Sequence, residues 1–169
     1  MKTMKTILTA ALLCTAISVN AGDFYISPNK ATIQVDSPEL GKLEGSANKV
    51  SLGYQLNDTW GIEASYVKAD FDSVMKGPVL NKPEADISIL GITYSYKYMY
   101  AKAGYFQSKG EVESSVGPMT RVTRKTRSGG HVAIGAHIPT FKSLKLKVEV
   151  STATEGGYII SVGPVITFF

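Results

Sequence analysis

Apolar and polar residues alternate one by one through most of the chain beyond residue 22. The pattern is cleanest near the end of the sequence, where Leu144, Leu146, Val148 and Val150 are interleaved with Lys145, Lys147, Glu149 and Ser151. Strict alternation predicts β-strands that have one apolar and one polar face. No segment shows a sustained period of 3.6 residues, so the sequence predicts an all-β fold with essentially no helix.

Eight alternating segments can be distinguished. They cover residues 23–35, 48–56, 59–70, 85–96, 99–108, 129–138, 144–151 and 158–169. The alternation is broken near Pro28 in the first segment. Because proline cannot donate a backbone hydrogen bond, we expect a bulge or an edge irregularity there. Short strands separated by turn-rich stretches indicate a β-barrel or a β-sandwich.

The connections between these segments alternate in length. Short links follow the second, fourth and sixth segments, at residues 57–58, 97–98 and 139–143. Long polar loops are expected after the first, third and fifth, at residues 36–47, 71–84 and 109–128, and the link at 152–157 is moderately short. Short turns at one end and long loops at the other are typical of an up-and-down barrel inserted from one side. A Greek-key sandwich mixes lengths less regularly.

Residues 1–21 have the organisation of a cleavable signal peptide. A positive n-region with two lysines precedes a short apolar h-region at residues 7–17, and the expected cut follows Ala21. A membrane anchor is the weaker alternative, because a helix needs about 20 apolar residues to span a bilayer. Cys14, the only cysteine, follows a leucine rather than a small residue, so it is not expected to carry a lipid.

The predicted mature part, residues 22–169, is long enough for one domain and has no cysteine, so disulfides do not stabilise it. The formal net charge of +4 includes two signal-peptide lysines. This charge is too small to indicate a nucleic-acid partner. For an exported chain three classes remain: a periplasmic protein, an extracellular protein, or an outer-membrane barrel.

Three features favour the membrane. Charges stand in the middle of strands on the polar face, which fits a lumen. Aromatic residues lie near strand ends on the apolar face, as in the girdles of membrane barrels, at Trp60, Tyr66, Tyr94, Tyr96 and Tyr105. The last strand ends on Phe168 and Phe169. A soluble lipocalin-like barrel, with the apolar face as its core, remains the alternative.

Two stretches carry a resemblance to a known family. Residues 22–26 (GDFYI) and, most specifically, residues 50–63 (VSLGYQLNDTWGIE) resemble the small OmpA/OmpX-type outer-membrane barrels, and the likeness extends over the whole mature length. It implies an eight-stranded antiparallel up-and-down transmembrane β-barrel in the outer membrane of a Gram-negative cell. It also implies that Phe168 and Phe169 form the signal for the barrel-assembly machinery.

The chain departs from the family pattern in three ways. Thr167 stands where an aromatic residue is usual, and simple alternation places Phe168 on the lipid face. A bulge at Pro164 would reset that register. No peptidoglycan-binding domain follows the barrel, so cell-wall tethering is not carried over.

The polar face predicts a lumenal charge network. Its members are Glu63, Lys102, Lys145, Lys147 and Glu149. An eight-stranded barrel is only wide enough for side chains to fill it, and buried charges need partners. We favour a stabilising polar plug. The resemblance suggests an alternative, a narrow ion-conducting pore gated by these salt bridges.

The two histidines do not indicate catalysis or metal binding. His131 and His137 lie six residues apart on one strand face, roughly 20 Å at strand rise, which is too far to share a metal. A lipid-A-modifying barrel enzyme would need a serine close to a histidine and an acid. Ser128 lacks an obvious acidic partner, so we expect no enzyme, no metal and no cofactor.

The most basic segment lies in the predicted loop after the fifth strand. Its residues are Arg121, Arg124, Lys125 and Arg127. A solvated loop is one interpretation. The other is contact with lipopolysaccharide phosphates or host polyanions, because arginine suits phosphate geometry.

The sequence as a whole predicts an integral outer-membrane barrel with a structural or surface-interaction role. We expect a monomer whose partners are outer-membrane lipid, lipopolysaccharide and, during biogenesis, the barrel-assembly machinery. No nucleic-acid partner is expected.

Overall fold

The computed structural model describes residues 22–141, 143–154 and 156–168. The strands are β1 Phe24–Ser37, β2 Gly41–Gln55, β3 Trp60–Phe71, β4 Val74–Lys76, β5 Val79–Tyr96, β6 Met99–Val116, β7 Met119–Phe141, β8 Leu144–Ala153 and β9 Tyr158–Phe168. Among the described residues, no helix is long and apolar enough to cross a membrane. The predicted signal peptide and Phe169 lie outside these residues and stay predictions.

The strands form a closed ring in which every pair of neighbours is antiparallel. The order is β3-β2-β1-β9-β8-β7-β6-β5, and pairing of β3 with β5 closes it. The short β4 pairs only with the outer part of β5 and is not part of the ring. The prediction of an all-β, eight-stranded, antiparallel up-and-down barrel is therefore confirmed.

One end of the barrel carries tight turns, and we call it the short-turn end. At Asn57 the side-chain Oδ1 accepts hydrogen bonds from the backbone N–H groups of Thr59 and Trp60, both at 2.9 Å. Asparagine commonly closes turns in this way. Lys97 adopts a left-handed φ of 55° in the two-residue turn between β5 and β6. We call the opposite end the long-hairpin end.

The prediction of three long loops at the long-hairpin end is wrong. Strand β1 continues to Ser37 and β2 begins at Gly41, while β6 continues to Val116 and β7 begins at Met119. The predicted loop at 71–84 contains β4 and the start of β5. These strands continue to pair beyond the point where their outward-facing residues become polar. From that point apolar and polar residues no longer alternate, so the sequence pattern ends before the strands do.

The irregularity predicted at Pro28 is a gap in pairing. Between the pairs Ile26–Ile166 and Lys30–Val162 the β1–β9 ladder is interrupted, although the register is the same on both sides. Pro164 lies in the same gap, and neither proline has a backbone N–H to donate. The bulge proposed at Pro164 is absent, since its pairing with β8 is in register.

The outward face of the ring is an apolar belt. The five aromatic side chains expected in girdles, Trp60, Tyr66, Tyr94, Tyr96 and Tyr105, are all on this face and all exposed. On β5 the belt runs from Ser88 to Tyr96, which is roughly 26 Å of strand, or roughly 20 Å in height at a tilt of about 40°. This height approaches the band of about 25 Å typical of membrane barrels. Charged side chains in mid-barrel lie on the inward face.

Candidate functional site

Five charged side chains meet inside the barrel, and we call them the charge cluster. They are Lys49, Glu63, Lys102, Lys147 and Glu149, all at most 2 % exposed. Lys102 Nζ lies 2.8 Å from Glu63 Oε1 and 3.0 Å from Glu149 Oε2. Lys147 Nζ lies 2.6 Å from Glu63 Oε2 and 3.3 Å from Glu149 Oε2. Lys49 Nζ binds Glu149 Oε1.

Two tyrosines also bind the carboxylates, and the Ser65 hydroxyl donates to Glu63 Oε1 at 3.1 Å. Tyr25 donates its hydroxyl hydrogen to Glu63 at 2.8 Å, and Tyr100 donates to Glu149 at 2.6 Å. Glycines on neighbouring strands make room for the two rings, because a Cβ at Gly53 would collide with Tyr25 and one at Gly135 would collide with Tyr100. The sequence thus supplies both the ligands of the carboxylates and the space they need.

The cluster joins three cations to two anions, so every carboxylate contacts more than one lysine. Charges removed from water are costly unless close partners compensate for the lost hydration. Here the two glutamates hold together lysines from β2, β6 and β8. The arrangement therefore cross-links the ring.

The composition of the cluster differs from the sequence prediction at two positions. Lys145 is exposed near the short-turn end and is not in the cluster. Lys49, which the prediction omitted, is 1 % exposed and takes part. Lys49 shares the polar face of its strand with Ser51 and Gly53, and this alternation already predicts that it faces the lumen. The height at which each side chain enters the lumen was not available from the sequence.

An apolar tier lies in the lumen between the charge cluster and the long-hairpin end. It consists of Ala31, Ile33, Ala47, Val67, Ala69, Ile87, Ile89 and Phe106. Ile33 is 1 % exposed and Val67 is fully buried. The sequence predicted a polar plug in the lumen and did not indicate this tier. An ion leaving the charge cluster in this direction would meet packed hydrocarbon.

We expect the barrel not to conduct ions. Apolar constrictions exclude water and hence ions, so breaking the salt bridges below the tier does not open a path. Wild type, Glu149→Ala and Lys49→Met should each give no steady current in planar bilayers under conditions in which a known porin conducts. A current in wild type that changes with either substitution would instead support the salt-bridge gate.

The basic residues of the predicted loop lie in strand β7, so their assignment to a loop was wrong. Arg121, Lys125 and Arg127 continue the inward-facing series that includes the buried His131, and we call these three the cationic face. Arg121 and Lys125 are exposed, and Arg127 is half-buried. Arg124 points to the opposite side, where its Nε donates to Glu111 Oε1 at 2.7 Å. The four residues therefore do not form one patch.

The two sides of this extended sheet differ in charge. Acidic side chains of β5 and β6 lie on the outward side. Three are opposite cations across the strands, Glu111 with Arg124, Asp86 with Lys109 and Glu113 with Lys82, whereas Glu84 is opposite Glu111. The inward side of the β6 extension carries Ser108, Gly110, Val112 and Ser114, with no acid. The sheet thus lies between the cationic face and the acidic side chains of β5 and β6.

The histidines lie inside the barrel at different heights. Within the described residues, no group of three or more His, Cys, Asp or Glu side chains could hold a metal ion. Ser128, considered for a lipid-A-modifying site, is exposed and alternates with the inward-facing residues of β7, so it points away from His131. Phe168 faces outward and is 56 % exposed, as alternation predicted. Its role in assembly stays a prediction.

A family model described as the outer membrane protein beta-barrel domain matches residues 6–158 of the sequence. The chain belongs to this family. The resemblance to small OmpA/OmpX-type barrels and the location in the Gram-negative outer membrane are thereby confirmed, and the soluble lipocalin-like alternative is wrong. In such barrels the short turns are periplasmic and the long hairpins extracellular. The cationic face of this outer-membrane β-barrel therefore lies on the cell exterior.

Solved structures share the fold at low sequence identity. Ail, the attachment invasion locus protein of Yersinia pestis, is 11 % identical with a TM-score of 0.66, covering 87 % of this chain and 100 % of Ail. Neisserial surface protein A is 17 % identical with a TM-score of 0.61, covering 88 % and 100 %. The N-terminal barrel domain of Pseudomonas aeruginosa OprF is 12 % identical with a TM-score of 0.53, also covering 88 % and 100 %. A comparison with curated protein sequences finds no significant match.

Proposed function

We propose that this outer-membrane barrel is a surface-interaction protein that binds polyanions through the cationic face. Strand β7 has 23 residues, whereas about 9–11 suffice to cross a bilayer. The excess holds the cationic face outside the membrane on a rigid paired strand. The observation that carries the proposal is the gathering of Arg121, Lys125 and Arg127 on one side of that strand.

The cationic face has a paired strand on one side and, in the described part of the chain, none on the other. Strand β8 ends at Ala153, which pairs with His131, so beyond that point the described part of β7 pairs only with β6. Along the strand, Lys125 and Arg127 are about 7 Å apart, and Arg121 and Lys125 about 13 Å apart. A chain that carries repeated negative groups can contact all three.

The chemistry of the ligand follows from the side chains. Guanidinium groups bind phosphate and sulfate oxygens with paired, charge-assisted hydrogen bonds. Lipopolysaccharide phosphates and sulfated host glycans both present such groups. A solved structure of Ail, which shares the fold, is described as a complex with the heparin analogue sucrose octasulfate. The barrel below serves as a closed anchor, which its charge cluster and apolar tier stabilise.

Removing the cationic face should weaken polyanion binding. In nanodiscs, the triple substitution Arg121→Gln, Lys125→Gln and Arg127→Gln is expected to reduce affinity for immobilised heparin or for lipopolysaccharide at least about tenfold, equivalent to about 1.4 kcal/mol. Wild-type affinity should fall steeply with salt, and the variant should show a flatter dependence, because fewer counterions are displaced.

The matched control is Arg124→Gln, which removes one cation from the opposite side of the same strand. Because Arg124 is already paired with Glu111, affinity should change by no more than about twofold. Equal losses for Arg124→Gln and for each single substitution on the cationic face would mean that net charge alone attracts the polyanion. That outcome would refute the proposed face.

A further inference from the structure

His131 is a buried polar side chain whose hydrogen-bonding capacity is unused. Only 3 % of the residue is exposed, and within the described part of the chain neither Nδ1 nor Nε2 has a hydrogen-bond partner. Buried polar atoms in folded proteins are nearly always paired, so an unpaired ring points to a missing partner. The other histidine, His137, stacks on Tyr100 with ring centroids 4.7 Å apart.

His131 borders a cavity above the apolar tier, at the extracellular end of the lumen. The cavity measures about 80 Å³, several times the roughly 10–15 Å³ that one buried water needs. Most of the wall is apolar and includes Ile33, Val35, Ile87, Ile89, Phe106 and Ile159. Waters filling this volume would face mainly hydrocarbon.

Several other polar groups in the wall, Arg127 among them, already make interactions. Thr152 donates its hydroxyl hydrogen to the Gly157 carbonyl at 2.8 Å. The Tyr158 hydroxyl and the Gln34 side-chain amide lie within hydrogen-bond distance of each other, at 2.7 Å. Among the described residues of this wall, His131 is the one with buried side-chain atoms that lack a partner, so we expect a ligand in this cavity to engage its imidazole.

We propose that this cavity binds a small aliphatic molecule carrying one hydroxyl group. The apolar body packs on Ile33, Ile89 and Phe106, and the hydroxyl hydrogen-bonds to His131. A neutral imidazole offers one donor and one acceptor, and a hydroxyl can serve either nitrogen. A charged head group would lose hydration against an apolar wall, so an uncharged one fits better. This site adjoins the cationic face, because Arg127 also lines the cavity, but it does not depend on the proposed function.

The test uses barrels extracted from outer membranes, placed in lipid nanodiscs and labelled with ¹⁵N on histidine. Titration with 1-pentanol should give a saturable shift of the His131 ring nitrogens and leave those of His137 unchanged. Pentane, which lacks the hydroxyl, should bind at least about tenfold more weakly, because a site built to hydrogen-bond a hydroxyl rejects the analogue without one.

Two substitutions separate the site from general partition into lipid. His131→Leu should weaken 1-pentanol binding at least about tenfold while pentane binding is retained, because the imidazole that bonds the hydroxyl is replaced by an apolar side chain. His137→Leu, at the other end of the same strand face, should leave 1-pentanol binding unchanged. The proposal is overturned if 1-pentanol gives no saturable His131 shift, or if it binds His131→Leu as tightly as wild type.

Discussion

Replacing Glu149 by glutamine is expected to destabilise the folded barrel by about 3–5 kcal/mol, the cost of breaking a buried ion pair by removing one partner. Glu149 contacts Lys49, Lys102 and Lys147, so its loss leaves three buried cations around a single carboxylate. Glutamine keeps the shape, and its amide nitrogen adds a donor where only acceptors are useful. The effect is therefore electrostatic rather than a result of repacking.

Equilibrium urea unfolding in lipid vesicles, followed by tryptophan fluorescence and by the heat-dependent gel mobility of the folded form, measures this effect. Lys49→Met is the informative companion, because it leaves two lysines facing two glutamates. Its free energy of unfolding should stay within about 1 kcal/mol of wild type. Glu111→Gln, at an exposed pair with Arg124, should change it by no more than about 1 kcal/mol.

The order of these effects is the critical result. If Lys49→Met destabilised the barrel as much as Glu149→Gln, the expectation that one surplus cation can be removed at little cost would be wrong. A Glu149→Gln barrel as stable as wild type would show that the cluster does not hold the ring together.

Placing an arginine in the middle of the apolar belt is the second large perturbation. Ile92 faces outward at the centre of the β5 belt and is 57 % exposed. Its partners across the strands, Ile62 and Ala103, are apolar as well. Ile92→Arg should cost about 2–4 kcal/mol of folding free energy, the range for a cation at the bilayer midplane.

Ser88→Arg is the matched control on the same strand face. Ser88 pairs with Tyr66 and Gln107 at the upper border of the belt, where an arginine reaches the headgroups and should cost no more than about 1 kcal/mol. The same urea unfolding experiment applies to both variants. Equal costs at the two positions, or a negligible cost at Ile92, would contradict the placement of this belt in hydrocarbon.

The two halves of the lumen differ in composition. The periplasmic half of the lumen is cross-linked by the charge cluster, and the extracellular half contains the apolar tier. A lumen sealed in this way leaves the extended hairpin β6–β7 and the mouth beneath it as the surfaces that can meet other molecules. For this reason both proposals concern the extracellular end.

Sequence alone fixed the orientation of side chains in the membrane-spanning strands. Successive side chains of a strand point to opposite faces, so parity assigned Glu63, Lys102 and Glu149 to the lumen and Ile134 and Val150 to lipid without knowledge of any partner strand. Outward side chains contact hydrocarbon and the charged side chains lie inside, so the two faces of each strand differ in residue type. The barrel and its number of ring strands followed from this pattern.

Only the tertiary structure decided which inward charges meet and where the strands end. Glu63 and Lys147 are 84 residues apart in sequence and come together through the stagger of the strands around the ring, which no single strand encodes. That stagger brings Lys49 into the cluster and leaves Lys145 outside it. Beyond the membrane the outward face is free to be polar, so β6 and β7 continue by backbone pairing alone and leave no alternating pattern to detect.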